Sequence, residues 1–282
     1  MASIVIPAHD EAAVIGRLLD QLLDDGRRPL GEDVQVTVVC NGCSDDTAAR
    51  AAAYAPRVQV LDLPQPSKHL ALVAGDAVSR SVPRLYVDAD VELTSSAALA
   101  LLDALGSSDA VHAVAPERDL ALERSARVVR GFYAQWQRLP AVTEGLYGRG
   151  VLGVDETGLA RIAGRPDVLG DDLYLHQQFA AHERLVVRGA SVRIHPPRTV
   201  ADLLRRRTRA AMGNRQGAAT GTSTRSSLGS LVRGAALRPR QLPDVAAYIA
   251  ITVLARARGR LLARRSGTTW LRDESSRSTG TS

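Results

Sequence analysis

Two aspartates one residue apart, Asp88 and Asp90, close an apolar stretch in Leu85-Tyr-Val-Asp-Ala-Asp-Val-Glu92. A strand that runs out into a loop at such a pair offers hard carboxylate oxygens. Those suit a divalent cation such as Mg2+ or Mn2+, and a cation there suits a phosphate-bearing substrate. With 21 Asp in 282 residues, such a pair arises by chance about once or twice, so its weight depends on its company. That company is Ile4-Val-Ile-Pro-Ala-His-Asp-Glu11, then Val38-Val-Cys-Asn-Gly-Cys-Ser-Asp-Asp-Thr47, and downstream Gly170-Asp-Asp-Leu173. Arg205-Arg-Arg-Thr-Arg209 adds guanidinium groups, whose planar forks match phosphate oxygens. Cys40 and Cys43 form a C-x-x-C, which reads as a redox pair or half a zinc site. A structural zinc site wants four ligands and no second pair accompanies this one, so both are expected as reduced thiols in a cytoplasmic protein.

These groups need a scaffold, and composition bounds it. With 45% apolar residues the chain can bury one large core, so a single α/β domain with an appendage is expected. No apolar run approaches the ~18 residues of a membrane span, and Met1-Ala-Ser-Ile-Val-Ile-Pro7 lacks the basic leader of a signal peptide. Charge is divided: residues 184–282 carry 20 Arg against Asp202, Asp244, Asp273 and Glu274, a net +16, while residues 1–183 carry −10. A basic tail on an acidic body points to an anionic partner or to a solvated basic face. Lys68 is the only lysine.

Short apolar or β-branched runs at Ser3–Pro7, Val34–Cys40, Val58–Leu61, Arg84–Val87 and Ala110–Ala115 alternate with helical periodicity. The helices are expected over Glu11–Asp24, Asp45–Tyr54, His69–Ser79 and Ser95–Leu105, with Ser44-Asp-Asp-Thr47 and Thr94-Ser-Ser96 as cap signals. That alternation predicts a mostly parallel, Rossmann-like sheet flanked by helices. Further on, the pattern predicts a helix over Leu122–Arg138, a glycine-spaced loop over Glu144–Gly150 and a short strand at Val151–Val154. A helix from Asp171 to His182, strands near Leu185–Val187 and Ser191–His195, and a basic helix over Thr199–Met212 follow. Residues 213–230 read as a flexible linker, and 231–282 as a basic helical extension with a helix over Val245–Arg265.

Taken in order, these motifs resemble the family-2 glycosyltransferases of the GT-A fold, over Ile4 to about Arg209. The resemblance implies a 1–212 catalytic domain, with 1–115 binding the nucleotide sugar and 116–212 serving acceptor and catalysis. In that family the Pro7, Ala8, Asp10 and Glu11 segment touches the nucleotide. The Val39–Thr47 turn follows the family's Asp-Asp-Gly-Ser-x-Asp-x-Thr, except that Cys40 and Asn41 replace two aspartates, so base recognition would fall to Asn41 or to backbone. Lys68-His-Leu-Ala-Leu-Val-Ala-Gly75 is similar to a Lys-x-x-Ala-Leu-Asn-x-Gly helix start, with Val73 for Asn. Asp88-Ala89-Asp90 matches the metal motif, in which Asp90 would bind the ion and Asp88 the ribose. Asp171-Asp172 resembles the pair that supplies the catalytic base, which carries over onto Asp172. Arg205, Arg206 and Arg209 fall where the diphosphate is clamped, and His195 where some relatives place a third metal ligand.

The implied activity is transfer of a sugar from a nucleoside diphosphate to an acceptor hydroxyl of a glycan, a lipid-linked chain or a small molecule, with inversion. Charge develops on the departing phosphate, and a cation with nearby arginines stabilises it, while a carboxylate takes the acceptor proton. Mutual repulsion within Asp171-Asp172 is expected to raise one pKa. The plainer role for Asp10, Glu11, Asp171 and Asp172 is helix capping. Two other functions fit the residues less well. A nucleotidyltransferase would carry a Gly-rich, Arg-containing phosphate loop after the first strand, which Pro7-Ala-His-Asp-Glu11 is not. A nucleic-acid-binding module has only the arginine charge in its favour, so nucleic acid is not an expected partner. For Val245–Arg265, apolar and arginine-rich portions side by side leave two readings, a core-docked helix or peripheral contact with the inner membrane face.

Overall fold

The computed structural model describes residues 1–167, 171–216 and 241–264. Its first strand, β1 (Ala2–Ala8), is buried along its whole length, which is why it reads as a continuous apolar run rather than an alternation. Side chains still alternate across it: Ile4, Ile6 and Ala8 enter one core cluster and Val5 another. Then follow α1 (Ile15–Leu23), β2 (Val34–Asn41), α2 (Thr47–Ala52), β3 (Val58–Leu63), α3 (Lys68–Val78), β4 (Arg84–Val87), β5 (Glu92–Leu93) and α4 (Ser95–Leu105). The second half supplies β6 (Ala113–Leu120), α5 (Arg127–Trp136), α6 (Pro140–Glu144), β7 (Val151–Val154), α7 (Glu156–Ile162), α8 (Asp171–Gln177), β8 (Arg184–Ile194), α9 (Val200–Gln216) and α10 (Leu242–Arg264).

One mixed sheet runs in the order β3-β2-β1-β4-β7-β6-β8-β5. Strands β3, β2, β1 and β4 are mutually parallel, and β7 and β5 run against their neighbours. The α/β architecture, a mostly parallel sheet flanked by helices, is therefore the expected one. On one face Leu18, Leu19 and Leu22 of α1 and Leu101 and Leu105 of α4 pack on Ile4, Val36, Val38 and Leu85. On the other, Ala71 and Leu72 of α3, Ile162 of α7 and Leu175 of α8 pack on Val5, Val39, Tyr86 and Ala113. Gly75 lets α3 come this close: a Cβ there would stand 2.4 Å from Val5 Cγ1. A third cluster joins Val129, Phe132 and Trp136 of α5 to Leu203 of α9 and Tyr248 and Ile251 of α10.

The structure differs from the expected elements in instructive places. The first helix begins at Ile15, because Glu11–Val14 form a turn in which Val14 N and Ile15 N both donate to Glu11 O. Strand β6 continues past Pro116 to Leu120, since its far half needs only one buried side. The two late strands are one, β8, interrupted by a bulge where Pro116 pairs Val187 and Glu117 pairs Ser191, with Gly189 at φ 83°. Helix α7 has no counterpart among the expected elements; Asp155 caps it by accepting from Gly158 N at 2.7 Å. Helix α9 continues through Gly213 to Gln216, and the rest of the expected linker, 217–230, lies outside the described residues, as do 231–240 and 265–282 of the expected extension.

Candidate active site

Parallel β1, β2 and β4 end on one edge of the sheet, so Pro7-Ala8, Asn41 and Asp88 arrive side by side. That edge, at the carboxyl ends of parallel strands, is where open α/β sheets bind ligands. Pro7 and Ala8 are the last residues of β1, and Ala8 is buried. Asp10 adopts φ 48°, a left-handed conformation that Asp tolerates better than most residues, and its Oδ1 accepts from Ser44 N at 2.6 Å and Ser44 Oγ at 3.1 Å. Glu11 is buried, its N–H donating to Thr47 Oγ1 at 2.7 Å. Asn41, also buried, donates its amide Nδ2 to Ala8 O at 2.7 Å. The amide thus ties the two strand ends together, which turns the donor side of Asn41 toward backbone.

Lys68 opens α3, which Ser67 caps by accepting from Leu70 N at 3.2 Å, and its ammonium lies 2.8 Å from Asp88 Oδ1. Asp88, Ala89 and Asp90 form the turn between β4 and β5, with Ala89 buried between two partly exposed carboxylates. Mg2+ or Mn2+ is commonly held by one or two carboxylates plus substrate phosphates. The turn's carboxylate oxygens are the kind of donor such an ion takes.

The glycine-spaced loop between α6 and β7 joins this turn to α8. Asp88 N donates to Gly150 O at 2.7 Å, and Gly148 N donates to Asp172 Oδ2 at 2.7 Å. Asp88 and Asp172 thus hold the two ends of one three-residue loop, Gly148–Gly150. Gly148 and Gly150 have φ 64° and 68°, and a Cβ on Gly150 would meet Val91 Cγ1 at 2.5 Å; both positions call for glycine. Two arginines hold the loop: Arg118, which nothing in the sequence marks, and Arg149, whose Gly148-Arg-Gly150 setting suggests an acceptor or diphosphate contact but whose guanidinium is turned to backbone carbonyls. Arg149, buried, donates to Gly145 O, Pro116 O and Thr143 O at 2.7–2.8 Å. Arg118 donates to Val142 O, Tyr147 O and Gly148 O and lies over the Trp136 ring. Burial, and then repulsion from Arg149, pushes the Arg118 pKa down to about 9. Trp136 packs in the third core cluster, while Tyr147 is partly exposed.

Helix α8 places Asp172 and His176 one turn apart, on the same face. Leu146 N donates to His176 Nδ1 at 3.2 Å, and the Arg184 guanidinium lies against the ring. Burial, then Arg184 and Arg149, lowers the His176 pKa from 6.5 to about 4. The unfolded chain therefore takes up this proton first, so the stability contributed by the neutral ring is present above pH 6.5 and is lost as pH falls toward 4, on the order of 2 kcal/mol after discounting for partial exposure. Denaturation midpoints of wild type and His176→Gln, compared at pH 7 and pH 4.5, are expected to show the steeper acid loss in wild type; parallel losses would remove His176 from the acid response.

The remaining candidate residues are placed as follows. Asp171 begins α8, and its side chain lies outside the described residues, as does Gly170. His195 Nε2 lies 2.5 Å from Glu92 Oε1, a carboxylate that Arg17 also approaches at 3.1 Å. Burial raises the Glu92 pKa, but hydrogen bonding to His195 and the Arg17 charge outweigh it, leaving it below its ordinary value. Among the described residues Asp88, Asp90 and His195 do not converge as a three-ligand group. Arg205, Arg206 and Arg209 lie on α9; the Arg205 guanidinium is paired with buried Asp202 one turn earlier. Arg207, between them, lies over the Phe132 ring, and burial lowers its pKa.

The family model for glycosyl transferase family 2 matches residues 3–145. Among solved structures, the chain is similar to a mannosyltransferase from Pyrobaculum calidifontis in complex with GDP-Man and Mn2+, with TM-score 0.62 and 17% identity over 96% of this chain and 76% of that one. It is also similar to glucosyl-3-phosphoglycerate synthase from Mycobacterium tuberculosis in complex with Mn2+, UDP and glucosyl-3-phosphoglycerate, with TM-score 0.47 and 19% identity over 71% of this chain and 70% of that one. No curated protein sequence matches the chain significantly.

Proposed function

The chain belongs to glycosyl transferase family 2, and on that premise we propose that it moves a sugar from a nucleoside diphosphate to an acceptor hydroxyl by in-line, inverting displacement, with Asp172 as general base. The observation that carries this reading is the Gly148–Gly150 loop, hydrogen-bonded to Asp88 at one end and to Asp172 at the other. Three residues of one loop separate the two acidic groups. The ends of β1 and β2 bind the nucleoside, with Asp10, Glu11 and backbone at Ala8 and Asn41 as its contacts. Lys68 fixes Asp88 toward the ribose. Arg205, Arg206 and Arg209 supply guanidinium groups for the diphosphate. A divalent cation held by Asp90 would, when bound, offset charge on the departing diphosphate. Asp172 removes the acceptor proton as the hydroxyl attacks the anomeric carbon; its oxygens accept backbone N–H groups from Gly148 and Leu173, which fix the carboxylate in place. The GDP-Man and Mn2+ held by the Pyrobaculum relative support the choice of donor class and ion.

The test is calorimetric titration of nucleoside diphosphates in Mg2+ or Mn2+. Binding that depends on the ion, and that Asp90→Asn weakens by more than the ~10–100-fold that loss of an outer-shell partner costs, is expected. Binding indifferent to both ion and variant would sink the metal-assisted reading.

Peripheral membrane contact belongs to the same proposal. Among the described residues no helix is long and apolar enough to cross a membrane. Helix α10 docks Val245, Tyr248 and Ile251 inward yet leaves Val253, Leu254 and Leu261 exposed beside Arg258 and Arg260. An apolar strip edged by arginine matches an anionic lipid surface. Replacing Leu254 and Leu261 together by Ser is expected to cut co-sedimentation with anionic vesicles by roughly tenfold; equal pelleting of both proteins would end the idea.

A further inference from the structure

The C-x-x-C and the histidine of the first strand end take no part in the chemistry above, yet the fold brings them together. His9, Asp10 and Cys43 each offer one ligand atom, and these atoms all lie within 4.8 Å of one another. We infer that His9, Asp10 and Cys43 form a site for a thiophilic divalent cation, with Zn2+ as its chemical match, separate from the carboxylate site at Asp90.

The donor set comes first. Thiolate and imidazole are the ligands zinc prefers, whereas Mg2+ and Mn2+ favour carboxylate and phosphate oxygens, so the two sites sort cations by softness. Orientation comes next. His9 Nδ1 lies 2.6 Å from Asn41 O; a carbonyl only accepts, so Nδ1 carries a proton, and in the neutral ring Nε2 is then the nitrogen that can bind a metal. Zinc-bound histidines are typically fixed in this way by a backbone carbonyl behind the ring. That Nε2 faces Asp10 Oδ2 at 3.8 Å, close to the ~3.3–3.6 Å between two ligand atoms on a tetrahedral zinc with bonds of ~2.0–2.2 Å. Asp10 itself is held by its other oxygen, Oδ1, through Ser44. Three side chains leave a fourth position open, as in zinc sites that exchange a ligand.

The site stands at the ends of β1 and β2. Its closeness to a bound nucleoside rests on the proposed function; its metal chemistry does not. If both hold, Zn2+ at this site and a nucleotide sugar compete for the same ground.

The test is optical titration of chelator-stripped protein with Co2+, whose bond to a thiolate gives an intense charge-transfer absorption. One equivalent of Co2+ producing that absorption, bleached by added Zn2+, is expected. Cys43→Ser should abolish it while Cys40→Ala keeps it, and His9→Gln, which retains the thiol, should weaken Co2+ affinity by more than the ~10–100-fold that loss of an outer-shell partner costs. No absorption in wild type, absorption surviving Cys43→Ser, loss with Cys40→Ala, or unchanged affinity in His9→Gln would each overturn the assignment. Circular dichroism of each variant establishes that it is folded, and if Cys43→Ser is not, the His9→Gln affinity decides. Nucleotide titration in Mg2+ is an independent readout: its failure leaves the cobalt absorption standing, and a missing absorption leaves donor binding standing.

Discussion

Asp172→Asn is expected to lower the turnover of sugar transfer by ~10²–10⁴-fold, the range general-base catalysis supplies, while the affinity for the nucleoside diphosphate stays within a few fold. The reason is geometric. The amide oxygen of Asn can still accept from Gly148 N, the contact that holds Asp172 at 2.7 Å, so the loop and the donor cleft keep their shape. What the amide cannot do is take a proton at neutral pH. Turnover and donor affinity therefore separate in this variant, whereas a residue that merely shaped the loop would change both. Full activity in the Asn protein would move the base elsewhere, and an equal fall in donor affinity would make Asp172 a structural support.

The second large effect is expected on stability. Arg149→Met removes a buried guanidinium that serves carbonyls of Pro116, Val142, Thr143 and Gly145. Unpaired buried carbonyls cost ~1–3 kcal/mol each. Some rehydrate, and the loss of like-charge repulsion with Arg118 offsets part of the rest, which leaves ~3 kcal/mol, or a fall of roughly 6–12 °C in melting temperature for a chain of this size. Transfer activity should fall with it even below the melting range, because the loop that spaces Asp88 from Asp172 loses its clamp. A melting temperature within a degree or two of wild type would mean that Arg118 alone holds the loop.

Much of the frame was legible because burial writes itself into sequence. The ends of β1, β2 and β4 follow runs that are apolar on both faces, so Ala8, Asn41 and Asp88 could be set at one sheet edge from the pattern alone. The cap at Thr94 was equally plain, and it accepts from Ala97 N at 3.1 Å. What escaped was tertiary. An arginine that serves loop carbonyls, such as Arg118, looks in sequence like any solvated arginine, since its partners are backbone and leave no side-chain signature. Asn41 read as a ligand contact, but its amide nitrogen is turned to Ala8 O, a partner 33 residues away. The bulge in β8 split one strand into two because three unpaired residues break the alternation. Helix α7, seven residues long, is too brief to display a period.

Position 68 carries the one lysine of this chain, and its side chain meets Asp88 at the carboxyl end of β4. Apart from the amino terminus, an amine-directed acylating reagent thus has a single address on the folded protein. The same modification that marks this position would cancel the charge facing Asp88, so the extent of labelling and the fraction of broken pairs are one quantity, legible in a mass spectrum as a single added group.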